Sequence, residues 1–95
     1  MSTWESWERK VLETFLDGER IIQLPARWKK RMVILRWLVE EFERDRRYAQ
    51  AELNAILARH HPDVATIRRE FIVYGLMDRE NGVYWRAAPP AEPTA

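Results

Sequence analysis

The side chains best able to do chemistry gather in two places. Between Arg27 and Arg36 stand five basic residues and no acidic one, and four of them, Arg27, Lys29, Lys30 and Arg31, crowd the opening of a helical pattern. Cations beside the free N–H groups of a helix start make a site for phosphate. The competing reading pairs these cations with acids elsewhere, such as Asp17, Glu19 or those of the first helix. The second place is Thr66, Arg68 and Arg69. Arginine clamps phosphate or reads guanine edges, and threonine contacts phosphate or a base. Yet residues 60–86 are formally neutral: Arg68, Arg69, Arg79 and Arg86 are matched by Asp63, Glu70, Asp78 and Glu80. Duplex binding rests on phosphate neutralisation, so an ion pair or protein interface is the rival role for Arg69. His60, His61 and Asp63 do not read as a metal site. Adjacent histidines point apart on a helix and no further ligand has suitable spacing, which leaves a solvated helix end. No serine, cysteine or histidine set implies a nucleophile, and no glycine-rich loop implies a cofactor. The expectation is a non-enzymatic chain with no catalytic residues, metal or cofactor.

The elements that must position these residues are legible from spacing. Asp63 caps a helix expected over 64–74, with Ile67, Phe71 and Tyr74 inward and Ala65, Thr66, Arg69 and Val73 outward. Gly75 stops it. Residues 76–79 and 83–86 read as strands joined by Asn81-Gly82, the pairing that favours a type I′ turn. Upstream, Ser2 or Thr3 caps a helix over 4–16 whose apolar face holds Trp4, Trp7, Val11, Leu12, Phe15 and Leu16. Asp17-Gly18 turns the chain. Residues 20–24 read as a brief strand that pairs with the later hairpin. Pro25 opens a helix over 26–42. Its apolar residues, Trp28, Met32, Leu35, Leu38, Val39 and Phe42 widened by Val33, Ile34 and Trp37, make it the central helix. A helix beginning near Tyr48 and running over 50–59 turns Leu53, Ile56 and Leu57 inward. Helix, short break and helix make a helix-turn-helix.

Ninety-five residues, 46% hydrophobic and 33% charged, bound a single small soluble domain over 1–86, with a disordered Pro/Ala-rich tail over 87–95. The absence of cysteine fits a reducing cytoplasm, and no apolar run is long enough for a membrane helix. A net charge of +1 gives the whole molecule no strong pull toward polyanions. The five tryptophans read as core and rim packing, and the alternative places one or two of them, Trp4 or Trp7, in a dimer interface.

The chain resembles the bacterial family called domain of unknown function 2087. The matching pieces are Phe15-Leu16-Asp17-Gly18, Leu24-Pro25, Lys30-Arg31, Leu35-Arg36-Trp37-Leu38, Tyr48 with Glu52 and Asn54, and Asp63. They continue through Ile67-Arg68-Arg69-Glu70, Tyr74-Gly75, Asp78-Arg79 and Gly82-Val83-Tyr84-Trp85-Arg86. Its members occur alone and fused to transcriptional regulators, so the resemblance implies a winged-helix-like fold and an association with transcription. It carries over no catalytic residue. Ala49 departs from the family's small hydroxyl residue and weakens the box with Glu52. The combined expectation is an α+β winged helix-turn-helix domain with an extra N-terminal helix and a short C-terminal β-hairpin wing. It would act in the cytoplasm as a DNA-binding or transcription-associated module. Arg27, Lys29, Lys30, Arg31, Thr66, Arg68 and Arg69 would contact double-stranded DNA. The alternative is a protein-interaction domain, dimeric through Trp4 and Trp7 or bound to another protein.

Overall fold

The core forms on one apolar helix. In the computed structural model, which describes residues 4–88, Val33, Ile34, Leu35, Leu38 and Val39 of that helix are all buried, and Phe42 just beyond it is too. The chain runs α1 (Ser6–Phe15), β1 (Leu16–Asp17), β2 (Arg20–Ile21), α2 (Trp28–Val39), β3 (Tyr48–Ala49), α3 (Gln50–Ala58), α4 (Val64–Val73), β4 (Met77–Glu80) and β5 (Val83–Arg86). This is an α+β fold of four helices and two small antiparallel sheets. Leu53 and Leu57 of α3, Ile67 and Phe71 of α4, and Met77 and Tyr84 of the hairpin join the α2 residues in one core. Each such large apolar side chain contributes about 1.5–3 kcal/mol through burial alone.

The expected caps at Ser2 or Thr3 lie outside the described residues. Among those described, Glu5 precedes α1 and its N–H donates to the Glu8 carboxylate at 2.9 Å. The other oxygen of Glu8 accepts from Arg36 at 2.8 Å, and the Arg36 guanidinium stands 4.9 Å from the Trp4 ring. That chain of contacts fastens α1 to α2. Residue 4 therefore lies outside the helix that the sequence placed it in.

The two-residue turn after Asp17 folds β2 back on β1, with Leu16 opposite Ile21 and Asp17 opposite Arg20. Gly18 sits at φ +62°, a left-handed conformation that costs glycine nothing. The short strand beginning at Arg20 thus pairs with its own neighbour, and not with the later hairpin as expected. Its link to the rest is His60. The His60 ring is buried, its Nδ1 lies 2.5 Å from the Glu19 carbonyl, and its own carbonyl accepts from the Ile21 N–H at 2.8 Å. A carbonyl only accepts, so Nδ1 carries the proton. His60 also meets the Trp37 ring edge-on at 5.6 Å. The solvated helix end expected here is in fact an interior joint.

The third strand of the larger sheet comes from Tyr48-Ala49, which the sequence reading placed at a helix start. Tyr48 pairs with Tyr84 and Ala49 with Val83, so the sheet order is β3-β5-β4. Tyr48 is buried because its ring packs edge-on to Phe42 at 5.1 Å and its hydroxyl accepts the Glu43 N–H at 2.8 Å. The helix begins only at Gln50, with Ala49 capping it and no side chain satisfying its first N–H groups. The second helix likewise starts later than Pro25 allowed, at Trp28, with Arg27 in the capping position.

Candidate functional site

The α4 helix is set by its two ends. Asp63 accepts the Thr66 N–H at 3.3 Å, and the hydroxyl and N–H of Thr66 hold the Asp63 carboxyl below its usual 3.8. At the other end Gly75, at φ +72°, donates to Ile72 at 3.1 Å, and Leu76 donates to Phe71 at 2.8 Å. This pair of bonds closes the last turn and releases the chain directly into β4. Tyr74, expected inward, ends up 40% exposed, because the helix finishes there and the turn carries the side chain past the core.

Each face of α4 then has a distinct task. Ile67 and Phe71 are buried. Glu70 faces α2 and takes a two-pronged bond from Arg31, Nε at 2.6 Å and the second nitrogen at 2.9 Å, while Arg31 also donates to the Pro25 carbonyl at 3.1 Å. The Glu70 hydrogen bond and charge raise the Arg31 pKa above its usual value. Arg68 donates to the Asn54 side chain on α3 at 2.6 Å. Arg69, Ala65 and Val73 face solvent.

Between the outer side of α4 and the hairpin lies an open groove of about 400 Å³. Arg68, Arg69 and Arg79 line it, with Ala65, Ile72 and Val73 between them and Tyr84 beneath, its hydroxyl held by Gln50 at 3.1 Å. No carboxylate lines it. The acids that neutralised this segment on paper are elsewhere. Glu70 is bound to Arg31, Asp63 caps the helix, Asp78 lines a different cavity with Arg44, Asp45 and Trp85, and Glu80, two residues after Asp78 in β4, shares its face of the hairpin. Arg79 and Tyr84 were not anticipated as site residues. The signal was available: Arg79 lies two residues after buried Met77 and directly opposite Tyr84, so it shares their side of the hairpin.

At the start of α2, Arg27, Lys29 and Lys30 are exposed, and among the described residues none of them forms an ion pair. Arg31, grouped with them by sequence, is taken by Glu70 and is not available to a ligand in this arrangement. Arg68 is available only in part, since Asn54 holds it. Thr66 is half-buried beside the cap. Of the two tryptophans that the alternative places in an interface, Trp4 is half-buried beneath Arg36, and Trp7 is 45% exposed with its indole N–H on the Glu5 carboxylate at 2.8 Å. Among the described residues no three His, Asp or Glu side chains gather as metal ligands, and no helix is long and apolar enough to cross a membrane.

Fold and site together define a small α+β domain whose last helix and hairpin enclose an arginine-lined groove. The chain belongs to the bacterial family described as "Uncharacterized protein conserved in bacteria (DUF2087)", which matches residues 20–86. That span takes in the groove and the cations at the start of α2, and leaves out α1. No curated protein and no solved structure matches the chain.

Proposed function

We propose that this chain is a winged-helix module that binds double-stranded DNA through α4, in the cytoplasm and without enzymatic activity. The fold assignment is supported by element order. Helix α2, strand β3, helices α3 and α4 and then the β4–β5 hairpin, with β3 beside β5, is the succession a winged helix requires. In that frame α4 is the recognition helix and Asn81-Gly82 the tip of the wing. The observation that carries the function is charge segregation. Three arginines and no acid line the groove beside α4, and Arg27, Lys29 and Lys30 at the start of α2 are exposed and form no ion pair among the described residues. A helix in the major groove meets phosphates beside it, which suits an arginine-lined groove along α4.

The test is a titration with random-sequence duplex DNA at low and moderate salt. The reversals Lys29→Glu with Lys30→Glu, and separately Arg69→Glu, should weaken binding and flatten the salt dependence, each lost phosphate contact lowering the slope by about 1. Absence of binding at low salt would remove the DNA reading. A second reading, a protein-interaction domain, is favoured by the apolar end of α4, where Val73 is 67% and Tyr74 40% exposed. Its self-associating form rests on Trp7, since Trp4 is engaged within the chain. Sedimentation of the wild type beside Trp7→Ala separates a dimer from a monomer.

A further inference from the structure

A second concave surface lies outside the groove, between α1 and α2. It is an open cleft of about 340 Å³ floored by Val11 and Phe15 and edged by Trp7 and Thr14, with Lys10 on one side and Lys30 on the other. Neither lysine forms an ion pair among the described residues, and no carboxylate lines the cleft. The absence has a local cause. Residues 7, 11, 14 and 15 share one side of α1, whereas Glu8 points at Arg36 and the Glu5 carboxylate is taken by the Trp7 indole. The Thr14 hydroxyl is also engaged, donating to the Lys10 carbonyl at 2.7 Å, so the cleft offers a ligand apolar surface and two ammonium groups.

From this pairing of an apolar floor with two unpaired ammonium groups, we infer that the α1–α2 cleft binds a small amphipathic carboxylate, an apolar body carrying one anionic head. The apolar body would lie on Phe15 and Val11 under the Trp7 ring, and the carboxylate would sit between Lys10 and Lys30. The volume is that of a small-molecule site. Charge complementarity decides the class. A neutral apolar ligand would leave both ammonium groups unused, and a compact inorganic anion would leave the floor uncovered. Because the family match begins at residue 20, the α1 wall of the cleft stands outside the matched region, and the site does not depend on the DNA reading.

The experiment is an NMR titration of the full chain with octanoate, 1-octanol and acetate, following the Trp7 indole and the Val11 and Phe15 resonances. Octanoate should produce saturable shifts confined to these residues and to Lys10 and Lys30, with octanol and acetate several-fold weaker or absent. Lys10→Gln and Lys30→Gln, both at exposed positions and with folding checked by circular dichroism, should each weaken octanoate roughly threefold to fivefold without changing octanol, the range expected for exposed charge contacts. Equal affinity for octanol overturns the anionic assignment. No saturable shift at Val11 and Phe15, or binding of an acidic leucine-rich peptide there while octanoate fails, overturns the small-molecule site.

Discussion

Single residues in the basic cluster have different tasks although the sequence lists them side by side. Arg31 holds α2 to α4 through Glu70, whereas Lys29 and Lys30 stand free in solvent. Replacing Arg31 by alanine should therefore destabilise the fold, by about 1–2 kcal/mol for the lost charge-assisted bonds and the unpaired Glu70. Lys29→Ala should leave stability within about 0.5 kcal/mol and act only on DNA affinity. Urea unfolding beside a duplex titration separates the two effects. Glu8 offers a pH test of another joint. The Glu5 N–H, with Arg36 adding its hydrogen bond and charge, outweighs burial and holds the Glu8 carboxyl below its usual 4.5. A carboxyl lowered on folding stabilises the fold fully above its unfolded value, and that contribution is lost as pH falls through the lowered one. Unfolding curves taken from neutral pH downward should show this loss beginning below 4.5, and Glu8→Gln should remove that part of the pH dependence while lowering stability at neutral pH.

At the scale of elements, the clearest defect is the start of α3. Ala49 occupies the capping position with Glu52 three residues on, so the first turn has no side-chain acceptor. Ala49→Ser should supply one and raise stability by about 1 kcal/mol, visible as a higher melting temperature, because position 49 is exposed and already extended at φ −65° and ψ 151°. The hairpin offers the opposite case. Asn81 and Gly82 both have positive φ, +51° and +77°, the type I′ turn that the Asn-Gly pair implied. Gly82→Ala should cost about 1 kcal/mol from left-handed strain, although nothing blocks its added methyl. These local signals made α4, its glycine stop and the hairpin legible, since cap, spacing and turn chemistry all lie within a few residues. The two-residue strands were not. Tyr48 can begin a helix or end a strand by propensity, and only its pairing with Tyr84, 36 positions on by numbering, decides the matter. The Arg20 strand failed for a related reason: a run that short is satisfied by whichever edge lies nearest, and the turn at Gly18 put its own neighbour there.

Over the whole molecule, the charge sum of a segment differs from the charge around the groove, because charge adds along the chain but acts in space. The neutral total for residues 60–86 argued against a DNA surface, yet folding sends Glu70 to Arg31 and Asp78 to the far side of the hairpin, leaving the groove to three arginines. The candidates Lys29, Lys30 and Arg69 were legible as exposed helix positions. Arg31 was not, because its partner is 39 residues away. The same spatial view couples the two proposed sites. Lys30 is both a proposed phosphate contact and part of the rim of the α1–α2 cleft. A carboxylate that engages Lys30 in the cleft withdraws it from a phosphate, so bound octanoate should weaken duplex binding and lower the salt slope by about 1, the effect of losing one phosphate contact. By reciprocity, DNA should weaken octanoate by the same factor. In Lys30→Gln the duplex should bind more weakly from the outset, and octanoate should then change it no further. The measurement is a duplex titration at two salt concentrations with and without saturating octanoate. Octanoate that fills the cleft and leaves both affinity and slope unchanged would show that Lys30 takes no part in holding DNA, which would restrict the contact at the start of α2 to Arg27 and Lys29.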